Sequence, residues 1–138
     1  MTDPIEDALR QVAESVGATV HRYPSPRHPV RRRTLREYVR DEDTQFEEAV
    51  LDADGTVYVI GRDSGPLVSA VFGESVSTYE WVYVIPPDRV PDLRQVAGVA
   101  PDTDVLDAVA RLYERVGGRL YHPLTGPPVG AAFDTWHS

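Results

Sequence analysis

The sequence predicts an α+β fold: a mostly antiparallel sheet of four to five strands with three to four helices, in one domain spanning residues 1–138. Three observations predict it. Apolar residues recur at helical spacing in several separate segments, a β-branched and aromatic run from Thr78 to Ile85 alternates with period two, and Asp54-Gly55 joins two short extended segments. A chain of 138 residues with 41% apolar content is the size of one domain and can fill one core.

Ile5, Ala8, Leu9, Val12, Ala13 and Val16 follow helical spacing, with Asp3 as N-cap, Pro4 at N1 and Gly17 as the stop. A short strand is expected from 18 to 23. Pro24, Pro26 and Pro29 then exclude regular structure as far as Val30, so residues 24–33 are expected to form an exposed Pro- and Arg-rich arm, followed by a turn of helix from Thr34 to Arg40. Phe46 to Asp52 and Thr56 to Arg62 flank Asp54-Gly55, which predicts a hairpin with a type I′ turn. Leu67, Val68, Val71 and Phe72 read as a short helix, capped by Ser64 and ended by Gly73. Thr78 to Ile85 reads as a central strand with Tyr79, Trp81, Tyr83 and Ile85 on one face. Asp88 is expected to cap a helix through Ala97 that Gly98 ends. A further helix covers about 104–116, and Ala131 to Trp136 supplies the last strand.

Composition narrows the function. Cysteine is absent, which removes disulfides, thiol nucleophiles and cysteine metal sites. No apolar run is long enough for a membrane span and no secretory pattern opens the chain, so a soluble cytoplasmic protein without membrane attachment is expected. All 14 cationic side chains are arginine, and asparagine is absent, a bias of GC-rich coding that points to an actinobacterial source ahead of a haloarchaeal one. The net charge of −8 is unevenly placed: Arg22, Arg27, Arg31, Arg32, Arg33, Arg36 and Arg40, against one glutamate, give residues 22–40 a local +6 and leave −14 on the rest. An acidic body disfavours a phosphate backbone and favours a basic partner.

The candidate constellations follow from this. Asp41, Glu42, Asp43, Glu47 and Glu48 are expected to form an acidic patch able to dock a basic protein, joined by Glu80, which stands between Tyr79 and Trp81. Arg27, Arg31, Arg32, Arg33 and Arg36 could grip an anion, with Tyr23 and Tyr38 as stacking partners if that anion were a nucleic acid, although nucleic-acid binding is disfavoured by the overall charge. Asp63-Ser64-Gly65 superficially resembles the nucleophile loop of chymotrypsin-like proteases, but it lacks one glycine and the companion histidine motif, and reads as a turn with a helix cap. His21, His28, His122 and His137 show no helical metal-pair spacing, and Asp52-x-Asp54-Gly55 departs from a calcium loop. No catalytic residue, metal or cofactor is assigned.

Asp63-Ser64-Gly65, Phe72-Gly73, Tyr79-Glu80-Trp81, Asp88 with Leu93, Asp104-Val105-Leu106, and Phe133 with Trp136 together resemble a set of small acidic actinobacterial proteins of uncharacterised function, over residues 51–136. Those proteins carry Asp-Leu-Gly, Phe-Gly and Tyr-Glu-Trp in the same order. This chain departs by Ser64 in place of Leu and by an insertion over 75–78. The resemblance implies an immunity-like protein that neutralises a cognate toxin, and supplies no catalytic residues. The expectation is therefore a non-enzymatic protein-binding module. The alternatives are a small enzyme with the arginines as anion clamp and Glu80 or His122 as base, a homodimer formed through a free sheet edge, and a nucleic-acid binder.

Overall fold

The computed structural model describes residues 4–5 and 24–138. Pro4 and Ile5 are helical, and the rest of the helix expected over 5–16, like the strand expected over 18–23, lies outside the described residues. The described elements, in order, are β1 (Pro29–Arg40), β2 (Asp43–Asp52), β3 (Val57–Ser64), α1 (Pro66–Phe72), β4 (Thr78–Ile85), a 3-10 turn (Pro87–Arg89), α2 (Val90–Ala97), α3 (Val105–Arg115), α4 (Tyr121–Thr125) and β5 (Ala132–His137). The five strands form an antiparallel meander in the order β1-β2-β3-β4-β5. The α+β class and antiparallel sheet expected from sequence are therefore present.

The stretch read as an arm and a helical turn is instead the longest described strand. Pro29 pairs with Asp52 and Arg40 with Asp43, so 24–33 is not a free arm and Thr34 to Arg40 is not helical. Pro29 is tolerated because it opens an edge strand, where a missing N–H costs no ladder bond. The lead-in is also fastened: the Asp52 carboxylate accepts from the N–H groups of His28 (2.7 Å) and Arg27 (3.3 Å), and the His28 carbonyl accepts from Ala53. Only Leu35 of β1 is partly buried. Pairing with β2, not burial of an apolar face, defines this strand, which is why no alternation announced it; its charges also suit an edge.

The β2–β3 reversal is a three-residue loop in which Gly55 alone has positive φ (91°) and donates to Asp52 O. Such a loop replaces the expected type I′ turn, which requires positive φ at both central residues. The cap of α1 also differs. Ser64 makes no capping bond; Gly65 stands at the N-cap, and the Asp43 carboxylate, arriving from β2, accepts from Leu67 N at 2.9 Å. Asp88 lies inside the 3-10 turn and does not cap α2.

The register puts Ala49, Val57, Val59, Tyr83 and Ile85 on one sheet face, where they pack against α2, α3 and α4 through Leu93, Leu106, Val109, Leu112, Leu120 and Leu124. Each fully buried leucine contributes about 1.5–3 kcal/mol. Helix α3 starts where Asp104 accepts from Leu106 N (3.0 Å) and Asp107 N (3.2 Å), a side-chain N-cap. Arg31 and Arg33 of β1 reach the same helix end and pair with Asp104 and Asp107. Among the described residues, the helices α2, α3 and α4 thus cover one end of this face and leave the other end open.

Candidate functional site

The open end carries Arg36 from β1, Gln45 and Glu47 from β2, Asp63 from β3, and Tyr79 and Trp81 from β4. Cα pairing of Arg36 with Glu47, Glu47 with Gly61, Gln45 with Asp63, and Gly61 with Trp81 fixes them on one face. Gly61 is required for this arrangement: a Cβ there would stand 1.9 Å from Trp81 Cε2, so the indole lies directly over the glycine backbone. Trp81 is thereby held against the sheet as a wall of the site.

Two carboxylates form the floor. Glu47 is only 7% exposed and accepts a 3.0 Å hydrogen bond from the Tyr113 hydroxyl of α3. Burial raises its pKa, outweighing Tyr113 and the Arg36 charge, and nearby Asp63 raises it further. Burial likewise raises the pKa of Asp63, against the hydrogen bond from Gln45 and the Arg36 charge. Asp63 Oδ1 is shut from solvent and has no hydrogen-bond partner. A buried acceptor without a donor costs about 1–3 kcal/mol. Burial and the Glu47 carboxylate raise the pKa of the Tyr113 hydroxyl, and the Arg36 charge lowers it.

Two hollows meet at Asp63 and Tyr79. One, of about 380 Å³, is walled by Trp81, Tyr83, Tyr121 and Phe133 and rimmed by Arg119 and His122. The other, of about 280 Å³, runs between the β1–β2 end and α1 and is lined by Tyr38, Leu67, Val71 and Phe72. Rings bind the two together: Phe72 stacks on Tyr79 (5.1 Å) and on His137 (5.3 Å), Tyr79 lies 5.5 Å from Trp81, and Tyr83 lies 4.7 Å from Phe133. Burial, together with Glu47, Tyr79 and Tyr121, pushes the Tyr83 hydroxyl up to about 12, so it stays protonated. A larger hollow of about 480 Å³ lies beside the α2–α3 loop, but there Arg33 and Asp107 already satisfy one another.

The expected acidic patch does not assemble. Asp41 and Glu42 sit exposed in the β1–β2 turn, Asp43 caps α1, and Glu47 is buried under Tyr113. Strand alternation sends Glu48 to the opposite face, where it pairs with Arg32 at 2.7 Å, and Glu80, on that same face, pairs with Arg62 at 3.5 Å. The expected anion clamp is likewise divided. Arg31 and Arg33 are consumed by Asp104 and Asp107, Arg32 by Glu48, and Arg27 precedes the sheet; Arg36 alone of the five faces the cleft, 5.8 Å from the Tyr38 ring. Ser64 pairs across the sheet with Thr44 and Thr78, with no histidine among them. Among the described residues no group of three or more His, Cys, Asp or Glu is placed to hold a metal ion, and no helix is long and apolar enough to cross a membrane.

Sequence reading missed Asp63, Trp81 and Tyr113 as site residues. Asp63 was absorbed into a turn motif, and Tyr113 sits 66 residues from the carboxylate it serves. The one available signal was the period-two alternation of Tyr79, Trp81 and Tyr83 on a single face. Comparison with protein-family models, with curated proteins and with solved structures finds no match to this chain.

Proposed function

We propose that this chain is a non-enzymatic protein-binding module of the immunity type, acting in an actinobacterial cytoplasm, which docks a basic toxin domain on the open end of its sheet. The observation that carries this reading is an apolar helix face beside the acid-floored aromatic cleft. Leu67, Val71 and Phe72 of α1 are 65%, 76% and 42% exposed, although each would contribute about 1.5–3 kcal/mol if covered. Aromatic anchors around a desolvated centre, with charge at the rim, are the usual energetic layout of a protein interface. The proposed binding surface therefore lies not in the 41–48 segment but over α1 and the two hollows that meet at Asp63 and Tyr79.

The test is coexpression with the C-terminal domain of a secreted protein encoded beside this chain. Wild type should restore growth and elute with that domain as one complex, and a Val71→Asp/Phe72→Asp variant should do neither. A variant that protects as well as wild type refutes the groove, and failure of wild type with such neighbours refutes the immunity reading.

One observation favours a second reading. Burial raises the pKa of both Glu47 and Asp63 above their ordinary values, the direction a general acid needs. A turnover abolished by Glu47→Gln, with ligand binding retained, would replace the binding module by an enzyme.

A further inference from the structure

We propose that the outer face of the sheet, the one turned away from α2, α3 and α4, is a docking face for the N-terminal segment of this same chain, which covers it with Leu9, Val12 and Val16. The inference stands apart from the toxin reading, because it concerns the face that the proposed partner does not use.

Strand alternation and register put Phe46, Val50, Tyr58, Ile60, Val82 and Val84 on the outer face. Val50 and Val82 are both 0% exposed. Helices α2, α3 and α4 build their core on the inner face, and α1 stacks Phe72 on Tyr79, which is also an inner residue, so none of the described helices lies over the two valines. Flanking side chains stand roughly perpendicular to a sheet, so they shield a valine from its sides and leave its top to solvent. Two valines without accessible surface therefore need a covering element. The charged neighbours agree, since the Glu48 and Glu80 side chains on this face keep only 14% and 18% exposure. Asp134 and Trp136 of β5, facing the same way, are likewise engaged.

The burial belongs to a single chain, so neither a second copy nor another protein supplies the cover. The path of the chain names the segment that does. Asp52 stands on the outer face in line with Val50, and its carboxylate accepts from the N–H groups of Arg27 and His28, so the chain enters β1 from that side. Burial raises the pKa of the Tyr58 hydroxyl, Asp52 and Asp54 add to it, and the Arg27 charge opposes them, which places Arg27 near the same face. Residues 24–28 are mostly exposed and cannot cover Val82, which lies two strands from Val50. The residues before them carry apolar side chains at helical spacing. A helix over 5–16 would be about 18 Å long and a five-stranded sheet is about 19 Å across, so one such segment crosses the face. Residues 17–23 reach about 23 Å when extended, enough to bring the chain back to β1. Ile5 is 71% exposed, so the contact begins after it.

Methyl NOEs in the full chain test the docking directly. Contacts should join Leu9, Val12 or Val16 to Val50 or Val82. Their absence, or contacts of the three with Leu67 and Val71 of α1 instead, overturns the proposal. A mixture of labelled and unlabelled chains identifies the source, and contacts found between molecules overturn it as well, because the cover is then a second copy. Substitutions read the consequence. Val12→Asp should lower Tm by about 5–10 °C, because an unpaired charge replaces a covered valine, while Gln11→Asp, on the other side of the helical repeat, should change it by less than about 2 °C. Equal losses refute the apolar stripe as the docking surface. If Val12→Asp does not fold, the NOE pattern of the unaltered chain still decides.

Discussion

Gly61→Ala tests how the site is built, because its cost can be worked from the structure. The new Cβ would lie 1.9 Å from Trp81 Cε2, 2.0 Å from Cζ2 and 2.4 Å from Nε1. Carbon contacts are comfortable at about 3.5–4.0 Å, so the indole must retreat by roughly 1.5–2 Å. Overpacking of this kind costs about 1–3 kcal/mol. Against it stands a gain of about 0.5–1 kcal/mol from restricting the unfolded chain, since Gly61 is not among the glycines with positive φ and alanine can adopt its backbone. The net expectation is a loss of about 1–2 kcal/mol, or roughly 3–8 °C in Tm. In a Trp81→Val background the ring is gone and the sign should reverse, with Gly61→Ala becoming neutral or stabilising by up to about 1 kcal/mol. Urea melts of the four proteins close a double-mutant cycle, whose coupling should be about 1–3 kcal/mol. Equal cost of Gly61→Ala in both backgrounds refutes the placement of Trp81 and, with it, the aromatic wall.

The remaining predictions concern charge and caps. Glu47 and Asp63 have raised pKa values in the fold, so their protonated forms are favoured there; their contribution is most favourable at low pH and is lost as pH rises from their ordinary values of 4.5 and 3.8 through the raised ones. A Glu47→Gln/Asp63→Asn variant should therefore gain stability relative to wild type across that window and hold the gain above it, and parallel curves in pH-resolved urea melts would contradict the burial of these groups. Asp104 has the opposite sign. Burial raises its pKa, but Arg31 and the N–H groups of Asp107 and Leu106 outweigh that and hold it low, so its stabilisation is present above 3.8 and fades as pH falls through the depressed value. Asp104→Ala should cost about 1 kcal/mol more than Asp104→Ser, which keeps the cap while losing the exposed ion pair with Arg31; equal losses in thermal melts would remove the cap from the account. Asp43→Ala should speed hydrogen exchange at the Leu67 amide, its bonded donor, while leaving the α3 amides protected.

Some elements were legible because they carry their own pattern. Thr78 to Ile85 alternates, and the 104–116 segment combines helical spacing with an aspartate cap, so β4 and α3 appear with bounds close to those expected. Strand β1 carries no such pattern. Its twelve residues are nearly all exposed, and prolines precede it, so only the backbone of β2 identifies it as a strand. The acidic positions failed as a patch for a related reason. Period two separates Glu47 from Glu48 whatever the fold, but which of the two is driven inward depends on where α3 presents Tyr113.

The amino-acid sequence by itself determined the α+β class, the hairpin at Asp54-Gly55, the apolar sides of β4, α2 and α3, and the lack of any cysteine chemistry. Those properties are local, written in periodicity and composition. Tertiary structure decided which charges are spent and which remain: arginines 31, 32 and 33 close ion pairs within the chain, while Asp63 is left with a buried oxygen lacking a donor. Electrostatic partners are chosen by distance in space, and three adjacent arginines on a strand point alternately to opposite faces. That is why the floor of the cleft could be found only after Glu47, Asp63, Trp81 and Tyr113 had been brought to one end of the sheet.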